Sequence, residues 1–165
     1  MPDRIVVCNT TPIIALSRAG ELLLLKKMYG EIVIPQAVYD ELTAKEDSVS
    51  QDVRDNASWL RIAKVQNTKI ITMFSVSLHT GEVETIMLAD EMKADLVIID
   101  DLLARKYALQ AGLNLTGTMG VLLKAKREGL IETIKPLLDS MIENGIYVSE
   151  RLYRGVLALA NENIG

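Results

Sequence analysis

Residues 94–105 read ADLVIIDDLLAR. Four aliphatic residues in a row, flanked by Asp95 on one side and by Asp100 and Asp101 on the other, leave neither face of the segment polar, as expected of a strand buried on both faces of a parallel sheet. The two acids then stand at its carboxyl end. Beyond them 102–111 takes helical spacing until Gly112, LNLTG at 113–117 offers a short strand, and TMGVLLKAKREG at 118–129 a helix stopped by Gly129. The stretch at about 135–161 reads as a C-terminal extension of two helices broken at Gly145, with Ser149 as N-cap of the second.

Toward the N-terminus the same alternation recurs. A helix over 80–92 leads into the decisive strand, and RIVVC at 4–8 ends abruptly in NTTP before a helical pattern through Ile13, Ile14 and Leu16. Gly30 closes a second helical stretch. EIVIP at 31–35 is another β-branched run, stopped by Pro35 where a helix holding Val38, Glu41 and Leu42 begins. Residues 45–56 predict a loop with a short helix, and weaker extended segments follow at 60–65 and 69–73. Strands alternating with helices predict one α/β domain over 1–165, in three α/β/α layers around a mainly parallel sheet.

The 165 residues, 49% hydrophobic and 24% charged, are enough to bury the core of one domain and too apolar for a disordered chain. No apolar run approaches the roughly 20 residues that cross a bilayer. The start MPDRIVVCNT lacks a secretory pattern, so the expected compartment is the cytoplasm. Cys8 and His79 are the only residues of their kinds, which excludes thiolate zinc sites, redox pairs and three-histidine centres. His79 reads as a surface residue before a helix.

Net charge is −4, against bulk electrostatic binding of nucleic acid. Yet 102–127 carries Arg105, Lys106, Lys124, Lys126 and Arg127 without a single acid, either a basic rim or an ordinary solvated helix face.

In an open parallel sheet ligands bind beyond the carboxyl ends of the strands. Asn9 follows the first strand directly, and Asp100 with Asp101 follows the later one. Glu41, three residues after Val38, lies beside its helix's apolar stripe. Glu82 and Glu84 lie about 200° apart on a helix and cannot share one site. Glu82 shares the sector of Ile86 and Ala89, where a carboxylate needs a reason to be; Glu84 turns toward Glu91 as a solvated pair. No G-x-G-x-x-G and no P-loop lysine motif follows the first strand, which argues against a nucleotide-binding domain.

The stretches VVCNTTPIIAL, VIPQAVYDEL, GEVETIMLA, LVIIDDLLAR and TGTMGVLLKAKREGLI together resemble the PIN domain, in particular the branch of prokaryotic PIN-like proteins related to toxin nucleases of toxin-antitoxin pairs. The resemblance spans nearly the whole chain. It implies a ribonuclease using Mg²⁺ or Mn²⁺, with Asn9, Glu41, Glu82 and Asp100 as metal ligands, Asp101 as auxiliary ligand, and Glu41, Glu82 and Asp100 as the catalytic set. Thr10 or Thr11 would orient the first-strand ligand, or simply cap the following helix. Arg105, Lys124 and Arg127 would contact RNA, and an antitoxin protein or a second copy of the chain (a homodimer) would be its partner. Asn9 departs from the family pattern, in which aspartate is usual there. Its amide offers a metal one carbonyl oxygen but no charge, so the resemblance also leaves open a weak or inactive module that binds RNA or protein.

Overall fold

A computed structural model describes residues 4–67 and 78–162. Its sheet has five strands, β1 (Val6–Cys8), β2 (Ile32–Pro35), β3 (Leu60–Ala63), β4 (Leu96–Ile98) and β5 (Leu115–Thr116). All are parallel, in the order β3-β2-β1-β4-β5. The helices among the described residues are α1 (Thr10–Arg18), α2 (Leu23–Tyr29), α3 (Gln36–Leu42), α4 (Ser48–Asp55), α5 (Thr80–Met92), α6 (Leu102–Gln110), α7 (Thr118–Arg127), α8 (Lys135–Glu143) and α9 (Glu150–Leu159). The extended segment expected at 69–73 lies outside the described residues; its neighbour at 60–65 is β3.

Because successive strand residues point to opposite faces, each short run feeds two cores at once. Val6, Cys8, Ile32, Ile34 and Ile98 pack on one face with residues of α1, α2, α4, α7, α8 and α9. Val7, Val33, Val97 and Ile99 pack on the other against Val83 and Leu88 of α5 and Ala104 and Ala108 of α6. This is the three-layer arrangement, and it explains why LVII shows no alternation: neither of its faces meets water. Side chains as fully buried as Ile34 and Ile98 contribute about 1.5–3 kcal/mol each relative to exposure.

The helix ends follow local chemistry. Asp47 accepts from Ser50 N–H and Ser50 Oγ from Asp47 N–H, a reciprocal cap that starts α4, the short helix expected within 45–56. Ser149 Oγ accepts from Leu152 N–H at 3.1 Å to start α9 as expected. Gly145 separates the last two helices at φ +90°, a conformation that glycine adopts without strain.

From β1 the chain builds outward to β2 and β3, then crosses back through α5 to lay β4 on the other side of β1. The direction of winding therefore reverses between β1 and β4, where a crevice opens beyond the carboxyl ends. Cys8 pairs with Ile98, and Asn9 N–H donates to the Ile98 carbonyl at 2.9 Å, so Asn9 and Ile99 leave the sheet side by side.

Candidate active site

Three helix starts and two strand ends meet at this crevice. Asn9 is 4% exposed and α1 begins immediately after it. The hydroxyl beside Asn9 comes from α5: Thr85 Oγ1 donates to Asn9 Oδ1 at 3.2 Å and to the Gly81 carbonyl at 2.7 Å. Thr10 Oγ1 instead donates to Glu41 Oε2 at 2.6 Å. The expectation that Thr10 or Thr11 orients Asn9 is thus corrected. As the first residue of α1, Thr10 points across to α3, while Thr11 is exposed on the next step of the helix.

Glu41 is exposed overall, yet its carboxylate is pinned where α3 meets α5. Gly81 makes this possible, since a β-carbon there would sit 3.2 Å from Glu41 Oε2 and 3.6 Å from Val38 Cγ2. Glu82, the next residue, is half-buried in the first turn of α5. Its carboxyl is pushed above the ordinary glutamate range, first by burial and then by Asp101, with a further push from Glu41; His79, at the N-cap of α5, opposes them. His79 is exposed, as expected of a residue before a helix.

The adjacent aspartates divide into two roles. Asp101 caps α6, accepting Ala104 N–H at 2.8 Å, and is the acid whose charge reaches Glu82 most strongly. Asp100 turns the other way and caps α7, with Oδ1 accepting Thr118 N–H at 2.7 Å and Oδ2 accepting the Thr118 hydroxyl at 2.6 Å. The N-cap position itself is Gly117, which has no side chain to offer, and a β-carbon on it would lie 2.6 Å from Asp100 Oδ1. The missing side chain lets a carboxylate from another element take over the capping. The structure thus brings the charges of Asp101 and Glu41 to bear on Glu82, holds Asn9 against Thr85 of the same helix, and commits Asp100 to Thr118. Among the described residues no three His, Cys, Asp or Glu side chains stand close enough to hold one ion jointly. The donors are nonetheless all oxygen, suited to a hard cation held by one or two carboxylates with water completing its shell, and a cation would relieve the like-charge push on Glu82.

The reading of Glu84 and Glu91 as a solvated pair is also corrected. Glu84 Oε1 accepts Ala37 N–H at 3.1 Å, at the start of α3, and Glu91 accepts Gln66 N–H and Asn67 N–H at 2.9 and 2.8 Å. Both carboxylates satisfy backbone donors of remote segments. Helix phase gave their direction, away from Glu82, but not what lies there.

The cations do not form one rim. Arg105 is at the crevice, its Nη1 donating to the Ile99 carbonyl at 2.8 Å. Lys124 lies 5.1 Å from the centroid of the Tyr29 ring and 4.0 Å from Glu128, and Lys126 binds the Ala160 carbonyl and Glu162. Arg127 is exposed at the far end of α7. At 1.5 Å per residue, Lys124 and Arg127 lie roughly 9 and 14 Å along the axis from Thr118.

Thr85, Thr118 and Gly117 were missed from sequence. The spacing 82–85 does place Thr85 beside Glu82, and a hydroxyl among Val83, Ile86 and Met87 was the available signal.

Among known families, a model described as DUF3368: PIN domain matches residues 5–162. No curated protein gives a match.

Proposed function

The chain belongs to the PIN domain family, whose members are generally nucleases that use divalent metal ions, and from that premise we propose that it hydrolyses RNA phosphodiester bonds with Mg²⁺ or Mn²⁺. The observation that carries the proposal is the crevice between β1 and β4, where Glu82 is half-buried under the like charge of Asp101 and Glu41 and where Thr85, on the same helix, bonds Asn9 Oδ1. Glu82 and Asp101 would hold the cation with water completing its shell, and Glu41, the Asn9 carbonyl or Asp100 would join only on a rearrangement that brings a further oxygen within reach. When bound, the cation would offset charge on the scissile phosphate and lower the pKa of a water so that it could serve as nucleophile. The chain's own part is positioning. Thr10 fixes Glu41, Thr85 fixes Asn9, and Arg105 stands beside the crevice to draw the RNA backbone in. Lys124 and Arg127 would reach only RNA flanking the cleaved bond. Among the described residues no helix is long and apolar enough to cross a membrane, in keeping with a cytoplasmic enzyme acting on RNA.

Calorimetric titration with Mn²⁺ and cleavage of a single-stranded RNA test the proposal together. Glu82→Gln should abolish the metal isotherm and slow cleavage by roughly a hundredfold, the scale of losing one electrostatic contact to a transition state. An unchanged isotherm and rate in that variant would remove the site from this crevice. The finer proposal, a toxin held in check by an antitoxin protein, predicts that expressing the chain arrests growth and expressing Glu82→Gln does not. A second reading, an inactive module that binds RNA, is favoured by uncharged Asn9 and by the commitment of Asp100 to Thr118. It predicts RNA binding without cleavage at any Mn²⁺ concentration.

A further inference from the structure

Beside the crevice lies a groove walled by α1, the first turn of α7 and the turn between α8 and α9. It encloses about 420 Å³, within the range of roughly 300–1,000 Å³ typical of small-ligand sites. Asp100, next to Asp101, and Arg105, bonded at the end of β4, line it, so it adjoins the candidate active site. Its outer wall is apolar and in water: Tyr147 is 88% exposed, Leu102 84% and Leu152 45%. Arg105 is the one cation among the described residues that line it, and its bond to the Ile99 carbonyl fixes the guanidinium. Gly117 leaves room for that guanidinium, since a β-carbon there would lie 3.0 Å from Nη1.

An exposed aromatic face, a fixed guanidinium and a small volume next to a phosphate-cleaving crevice match the needs of one unstacked base and its phosphate. We propose that this groove is a nucleobase subsite for single-stranded RNA, in which the Tyr147 ring stacks on a base next to the scissile phosphate and Arg105 holds the phosphate linking the two. Leu102 and Leu152 flank the base edge, and since any base has a stacking face, the subsite selects unpaired strand over duplex rather than one sequence. The inference rests on the nuclease reading.

Binding measured apart from cleavage separates the two. The probe is a fluorescein-labelled octamer of uridine, titrated in chelator at low salt by anisotropy with the full chain. Tyr147→Ala should weaken binding about tenfold, the effect of one stacked base, and Tyr147→Phe should restore it. In Tyr147→Trp the new indole is in water whereas the native Trp59 is 4% exposed. Its emission should be quenched by the octamer and not by an abasic octamer of equal charge. Equal affinity of Tyr147→Ala and wild type, or equal quenching by the abasic strand, overturns the subsite. So does a patch that proves to join two copies of the chain, seen as wild-type dimers in sedimentation that Tyr147→Ala dissociates. Loss of cleavage in Glu82→Gln with Tyr147-independent binding sinks the subsite alone. Tyr147-dependent binding without any Mn²⁺-dependent cleavage supports the subsite and sinks the nuclease reading.

Discussion

Glu82 and Glu162 are carboxylates drawn partly out of water at two helix starts, and their surroundings are opposite. Glu162 has a side chain only 8% exposed and accepts Ile134 N–H at 2.7 Å, Lys135 N–H at 3.0 Å and Lys126 Nζ at 3.1 Å. Burial alone would push its carboxyl up, but the two amides and the ammonium outweigh it and hold the group below its ordinary range. Burial pushes Glu82 the same way, but with acids for neighbours it ends above that range. A carboxylate that serves architecture is surrounded by donors. Glu82, the proposed ligand, is short of them, and the rest of the fold carries the cost.

The largest effect should come from the architectural side. Glu162→Ala strands two amides at the start of α8 and takes the carboxylate from Lys126, which keeps the Ala160 carbonyl, and should lower unfolding free energy by about 2–3 kcal/mol in urea titration while Mn²⁺ binding persists. A loss under about 0.5 kcal/mol would break the contrast. Asn9→Asp sharpens it from the other side by adding an anion beside Glu82. In chelator its Tm should fall by roughly 2–4 °C, the equivalent of about 1 kcal/mol at this chain length. Mn²⁺ should raise that Tm by more than it raises the wild type's, because the cation binds only the folded state. If both shifts match wild type, Asn9 lies outside the site.

The two glutamates should also give opposite pH slopes in chelator. Glu82 is raised when folded, so the folded chain keeps this proton longer, and stability falls as pH rises from the ordinary value near 4.5 through the raised folded value. The advantage of Glu82→Gln over wild type should therefore grow across that window and then level. Glu162 is lowered when folded, so its stabilisation is present above the ordinary value near 4.5 and lost as pH falls through the folded value. The deficit of Glu162→Gln should shrink in that lower window. Parallel slopes would mean that the two carboxylates are not differently housed. The smallest effect belongs to Glu84→Gln: about 0.5–1 kcal/mol from a weakened contact at the start of α3, with the Mn²⁺ isotherm unchanged.

The sheet could be read because its signals are local. Val6 to Cys8 and Leu96 to Ile98 announce burial on both faces within their own runs, and strand ends locate a crevice by a general rule. The site was legible to the same depth and no further. Asn9 and Glu82 follow from strand ends and helix phase, but whether Asp100 or Asp101 turns toward Glu82 depends on Gly117, which the chain meets again only at α7. The partner of Glu84, Ala37, is 47 positions away, and that of Glu91, Gln66, is 25 positions away. Periodicity states where a side chain points, and only the assembled fold states what it meets there.

The central pairing of β1 with β4 joins distant parts of the chain, as in the bond from Ile5 N–H to Asp95 across 90 positions. A ribosome delivers Asn9 and Glu41 first, and they have no counterpart until Glu82 and Asp101 have emerged and β4 has slotted in beside β1. Until then the half-made polypeptide lacks half of the proposed site. If the proposed ribonuclease activity holds, a chain assembled in this order would spare the messenger from which it is being translated.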